Sequence, residues 1–253
     1  MRMTLEKADL GHHYITRYNE ELERLRTGVL EMGGLVEEQL RSALAALAEA
    51  SASQAEQVMR VEYRVNAMEV SLDDECNRIL ATRAPTASDL RLVVAVLKTI
   101  TDLERVGDEA RKVAAIGLRQ SGRERTPEGY RPVRHLGSVA LELLHSALDV
   151  FARLDATAAV EVVKRDRLVD EEHEAIQRQC ITFMMEDPRT ISSAIDLLWV
   201  ARALERVGDH AKNICEYVIY MVHGRDVRHI ALSDVEQRMA ATAASAAGAA
   251  TDR

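Results

Sequence analysis

Apolar residues fall three or four apart along the first part of the chain. Leu22, Leu25, Val29, Met32, Val36, Leu40, Ala43 and Leu47 form one stripe of a helix, with charged residues between them. The spacing predicts a helix over roughly Tyr14 to Ala50. Two more helical patterns follow, about Ala52 to Thr82 and Thr86 to Arg119. The same three-part pattern then returns over about Val133 to Leu154, Ala156 to Glu186 and Pro188 to His223. Start signals mark the third helix of each half. In Pro85-Thr86-Ala87-Ser88-Asp89 a Thr cap precedes an acid three residues on, and Asp187-Pro188 sets an Asp cap before a Pro at the first helical position. A polar run with Pro and Gly, Ser121 to Gly129, joins the halves. Beyond Gly224 the period weakens, and residues 226–253 are expected to form a poorly ordered tail.

The two halves are copies. Ser42-Ala43-Leu44 matches Ser146-Ala147-Leu148, Val65-Asn66 matches Val169-Asp170, and Cys76 matches Cys180, all 104 residues apart. Leu103 to Asp108 reads Leu-Glu-Arg-Val-Gly-Asp, and the same six letters recur at Leu204 to Asp209, 101 residues on. A duplication of this length predicts two repeats, residues 10–120 and 132–225. Three amphipathic helices with short connections pack antiparallel, so the expected fold is all-α, a tandem of two three-helix bundles with six helices. Composition agrees: aromatic residues are 4% and prolines four in number, while 47% hydrophobic content suffices for a core.

Charge and cysteine content narrow the function. With 33 basic against 41 acidic residues the net charge is −8, and no basic run is present to neutralise a phosphate backbone, so nucleic acid is not the expected partner. The absence of a signal-type apolar block or a long uncharged window predicts a cytoplasmic protein, peripheral to membranes through partners only. Three cysteines without a Cys-x-x-Cys pair read as buried hydrophobes, not as a disulfide or zinc framework. Trp199, the sole tryptophan, lies one residue off the apolar stripe and is expected in the core or at a helix contact.

The repeated acids carry the chemistry. At 100° per residue, Glu104 lies within about 40° of Val93, Leu97 and Ile100, and Asp108 about 20° from Leu97. Both sit beside the apolar stripe, as do Glu205 and Asp209. Like charges four residues apart repel, and partial burial raises the cost, so something offsets it. One solution is a salt-bridged face, with Arg111 or Lys112 beside Asp108 and Lys212 beside Asp209. The other is a hard or borderline metal ion bound by oxygen donors, with Asn66 and Glu69, or Asp170, His173 and Glu174, presented by the second helix of each half. Gly107 and Gly208 cost about 1 kcal/mol each in a helix interior, and permit a close helix approach beside the acids. No phosphate loop, nucleophile elbow or His-Glu-x-x-His pattern is present, so no enzyme is expected. A metal-dependent phosphate-ester hydrolase is the alternative, since clustered metals can activate water.

These acids, with Met32 to Leu40, Arg83 to Arg91, and Met184 to Thr190, give the chain a sequence that resembles the PhoU family over roughly residues 10 to 230. The resemblance implies two three-helix bundles side by side, usually as a homodimer, with multinuclear clusters of iron, manganese, zinc or magnesium. Their ligands would be Glu104, Asp108, Glu205 and Asp209, joined by Asn66 and Asp170 from the second helices. It also implies a cytoplasmic, non-catalytic negative regulator of the phosphate-starvation response and of phosphate uptake. Such a protein is an adaptor between the ATPase subunit of a phosphate ABC transporter and a sensor histidine kinase.

Overall fold

The computed structural model describes residues 7–49, 51–119 and 130–228 with Ile230 and Asp234, and side chains from Arg17 onward. Six long helices make up the described chain: α1 (Lys7–Glu49), α2 (Ala52–Arg83), α3 (Ala87–Arg119), α4 (Arg131–Arg153), α5 (Ala156–Glu186) and α6 (Ile191–His223). No strand occurs among the described residues. Helix α1 begins at Lys7 rather than near Tyr14, because no proline interrupts the helix formers that precede its apolar stripe. The joining run Ser121 to Gly129 and most of the expected tail lie outside the described residues.

The helix ends follow local chemistry. Ser51 and Asp155 accept backbone N–H groups at the starts of α2 and α5. Asp187 caps as expected, but the turn after it is a short 3-10 helix, Pro188–Thr190, from which α6 continues. At the start of α3 the expected Thr86 side-chain cap gives way to a turn in which the Thr86 carbonyl accepts from the Asp89 N–H, with Ala87 at φ 49°.

Helices α3 and α6 form the centre. Val93, Val96, Ile100, Leu103, Val106, Ala110 and Val113 make a fully buried line on α3, three or four apart. On α6 the matching line is Ala194, Leu197, Ala201, Leu204, Ala211, Ile214 and Val218. Each central helix packs on both helices of its own bundle, and α3 and α6 also pack extensively on each other, so the two bundles share one continuous core. A fully buried leucine such as Leu204 contributes roughly 2 kcal/mol by burial, and cutting it to alanine costs about 3 kcal/mol once the cavity is included. The three cysteines are free and buried, as expected.

Two buried polar clusters tie this frame together. Glu21 of α1 is 1% exposed and accepts two hydrogen bonds of 2.9 Å from the Arg83 guanidinium at the end of α2, with Arg78 nearby. Between the bundles, Asp102 of α3 accepts from the Tyr217 hydroxyl at 2.8 Å and pairs with His210 Nδ1 at 2.7 Å. Asn213 donates to the same carboxylate at 3.4 Å. Burial and the adjacent Asp102 carboxylate push the Tyr217 phenol well above its ordinary range.

Candidate functional site

Each repeat holds a carboxylate cluster where its second and third helices approach. In the first repeat Glu104 and Asp108 are half-buried on α3 and face α2. Burial raises the Glu104 carboxyl above its ordinary range, and the charges of Asp108, Glu69 and Glu62 add to the effect against the weaker pull of Arg105. Glu69 is likewise raised by burial and by Asp73. Glu62 is buried and accepts from Gln39 Nε2 of α1 at 2.6 Å. Gln39 Oε1 is itself buried without a hydrogen-bond partner.

The second repeat repeats the arrangement in a more buried form. Glu205 is raised by burial first, then by Asp209, Asp170 and Asp166, while Arg202 opposes. Its Oε1 accepts from Arg202 at 2.7 Å, and its Oε2 is buried with no hydrogen-bond partner. Asp166 of α5 is also raised by burial, partly offset by a 3.0 Å hydrogen bond from the Lys212 ammonium. His173 is lowered by burial and by Arg202, which keeps its imidazole neutral.

The glycines fit these clusters by close approach. A Cβ on Gly107 would stand 2.9 Å from Gln39 Oε1 and 3.3 Å from Glu62 Oε2, and one on Gly208 would stand 3.2 Å from Asp166 Oδ1. Glu62 and Asp166 are therefore the acids that meet the glycine faces of α3 and α6. Neither is among the ligands expected from the sequence. A signal was available: they stand 104 residues apart, and Glu62-x-x-x-Asn66 and Asp166-x-x-x-Asp170 repeat the four-residue acid spacing one helix earlier. Of the expected second-helix residues, Asn66 and Asp170 are exposed, and Glu174 is exposed and paired with Arg178.

Basic side chains also enter both clusters. Arg111 donates to Asp108 at 3.1 Å and lies 4.0 Å from Glu62, and its repeat counterpart Lys212 pairs with Asp166, not with Asp209. Lys112 pairs with Glu109 instead of Asp108. Arg206 reaches across to Glu109 at 2.8 Å rather than to an acid on its own helix. Among the described residues no three His, Cys, Asp or Glu side chains are placed to hold one metal ion. The donor chemistry still suits a hard cation. Each cluster is rich in carboxylate oxygens that burial and mutual repulsion hold in unfavourable company, and Glu205 Oε2 is a buried acceptor without a donor. In this structure the charge balance comes from Arg111, Lys212 and Arg202, which donate to Asp108, Asp166 and Glu205.

Trp199 departs from expectation. It is 63% exposed and lines an open groove between α3 and α6, because it stands two positions from both Leu197 and Ala201, on the side of α6 away from that buried line.

Tandem three-helix units, each with an acid cluster between its second and third helices, define a class of all-α protein. Residues 29–116 and 133–218 both match the PhoU domain, and the chain belongs to the PhoU family. It is 46% identical over 235 residues to the phosphate-specific transport system accessory protein PhoU homolog of Pseudomonas aeruginosa, covering 93% of this chain and 97% of that protein. The accessory protein PhoU of Escherichia coli is 42% identical over 236 residues, covering 93% and 98%. The crystal structure of PhoU from Pseudomonas aeruginosa superposes with a TM-score of 0.80 at 48% identity, over 82% of this chain and all 100% of that one. That of the phosphate transport system regulatory protein PhoU from Streptococcus pneumoniae gives 0.76 at 29% identity, over 83% and 99%.

Proposed function

We propose that this chain is a non-enzymatic accessory protein of phosphate transport that represses the phosphate-starvation response when phosphate is plentiful. In this reading it is a cytoplasmic adaptor. It links the ATPase subunit of a phosphate ABC transporter to a sensor histidine kinase, holds the kinase in its repressing state and restrains uptake. The observation that carries the reading is nearly end-to-end similarity to proteins named as accessory proteins of phosphate-specific transport. Among the described residues no helix is long and apolar enough to cross a membrane, which fits association with membranes through partners. A homodimer is part of the proposal.

The clusters enter the proposal as cation sites. Glu104 and Asp108 with Glu62 and Glu69, and Glu205 and Asp209 with Asp166 and Asp170, would hold iron, manganese, zinc or magnesium, with Asn66 as a further donor at the first. A bound cation would offset the burial and the neighbouring negative charges that raise Glu104 and Glu205. Arg111 and Lys212 would then swing out to solvent. Deleting the gene tests the regulatory reading: starvation genes should become constitutively expressed in high phosphate. Normal repression in the deletion strain, with no second copy of the gene present, overturns it.

A further inference from the structure

The groove beside Trp199 has a counterpart on the other side of the α3–α6 contact, and the two differ. Trp199 is the repeat partner of Lys98, and Ile116 and Arg119 are those of Tyr217 and Tyr220, each pair 101 residues apart. At the first position the Lys98 ammonium stands over the Tyr217 and Tyr220 rings, 5.4 and 5.7 Å from their centroids, so the chain fills this space itself. At the second position the repeat-equivalent residues exchange roles, Trp199 standing where Lys98 does and Arg119 where Tyr220 does, so α3 again supplies the cation and α6 the aromatic ring. Trp199 and Arg119 there flank an open groove of about 800 Å³.

Its electrostatics are opposite to those of the molecule. The chain carries a net −8, yet Lys112, Arg119, Arg202 and Arg206 rim this groove. Their side chains are between 42% and 63% exposed, whereas their partners Glu109, Asp196 and Glu205 are no more than 14% exposed. The carboxylates lie beneath and the cations face outward. Each guanidinium has five N–H donors and engages its carboxylate through one nitrogen, so Arg119, Arg202 and Arg206 keep donors for a ligand without giving up their buried partners. Ile195 and Trp199, one turn apart on α6, and Leu118 across the groove on α3 give exposed apolar contacts at helical spacing.

We propose that this groove docks an acidic amphipathic helix of a partner protein, with a bulky apolar side chain against Trp199 and carboxylates on the arginine rim. The proposal rests on the adaptor reading and adds the surface and the partner chemistry. Aromatic and arginine side chains around an apolar pocket are the residue types that dominate protein interfaces.

Because Trp199 is the sole tryptophan, its emission reports the groove directly. The full chain is titrated with a synthetic helical peptide of Leu, Phe and Glu, and with versions carrying Gln or Lys in place of Glu. The expected result is a saturable blue shift with the Glu peptide, weakened by salt and absent with the Lys peptide. Anisotropy of the labelled Glu peptide should show binding at least about tenfold weaker for Arg119→Glu and for Trp199→Ala, each with unchanged helicity. No binding, or equal binding of the Lys peptide, overturns the proposal. So does a blue shift that the protein shows alone as its mass doubles, which makes a second copy the occupant. A shift caused by phosphatidylglycerol vesicles and not by the Glu peptide makes it a membrane, and overturns it likewise. The assay contains neither transporter nor kinase, so the groove and the regulatory reading can fail separately.

Discussion

Leu148 of α4 lies on Gly33 of α1, and the contact is returned 104 residues away, where Leu44 lies on Gly137. The reciprocity makes the α1–α4 seam an internal pseudo-twofold contact, in which each repeat supplies one leucine and one side-chain-free surface. A methyl group on either glycine would overlap the end of the facing leucine, a flexible tip that can rotate away. Gly117 differs, since a Cβ there would stand 2.9 Å from the backbone of Ala46 and Leu47, which cannot move alone. Gly34 has nothing within 4 Å. Three substitutions should therefore separate in urea denaturation. Gly34→Ala should gain up to about 1 kcal/mol from helix propensity, Gly33→Ala should lie near neutral, and Gly117→Ala should lose roughly 2 kcal/mol. Equal effects at Gly34 and Gly117 would show that backbone approach does not govern the packing.

The bundles are joined by a polar contact as well. Removing Asp102 leaves the buried His210 and Tyr217 without the acceptor they share. Asp102→Leu should cost about 3 kcal/mol, and Tyr217→Phe about 1 kcal/mol, because an orphaned buried donor loses more than a deleted one. In a double-mutant cycle the two losses should fall short of additivity. Strict additivity would mean that Tyr217 does not depend on Asp102.

Acid should loosen the junction of α1 with α2 in a definite direction. The Arg83 hydrogen bonds hold the Glu21 carboxyl below its ordinary value, against burial, which raises it, and Arg78 adds to the lowering. A carboxyl depressed on folding contributes stability that is fully present above its unfolded pKa and is lost as pH falls through the folded value. Wild type should lose stability relative to Glu21→Gln on going from pH 7 to below the usual glutamate range. At pH 7 the variant should be the weaker by about 2 kcal/mol, since it leaves Arg83 half-paired. Thermal unfolding across that pH range measures the difference, and a gap that does not narrow in acid removes Glu21 as its source.

Periodicity located the six helices because a buried stripe at a spacing of three or four is a direct imprint of packing. The acid clusters were only half legible. Glu104, Asp108, Glu205 and Asp209 stood out through identity of the repeats, whereas Glu62 and Asp166 differ in residue type between copies, and their importance comes from facing Gly107 and Gly208 across a helix contact. Trp199 was misplaced for a related reason. Helix positions advance about 100° per residue, and Trp199 is two positions from both Leu197 and Ala201 of the buried line, which puts its side chain on the other side of α6. The exchange of cationic partners, with Lys212 on Asp166 and Arg206 on Glu109, is a property of tertiary approach that no spacing along one helix encodes.

The clusters themselves offer the sharpest test. Basic side chains now balance the acids, and Glu205 Oε2 has no donor. A cation that binds the folded chain at about a hundred times its dissociation constant stabilises it by about 2.7 kcal/mol, or roughly 5–10 °C in Tm for a chain of this size. Manganese or iron added to metal-stripped, untagged protein should raise Tm by that order. Glu205→Gln with Asp209→Asn should abolish the part due to the second cluster, and Glu104→Gln with Asp108→Asn the part due to the first. Lys212→Met removes the competitor for Asp166 and should lower the metal concentration needed for half the effect. If neither metal, nor zinc or magnesium, moves the wild-type Tm, and elemental analysis of freshly purified protein finds none, the acids form a salt-bridged face and the cation proposal falls.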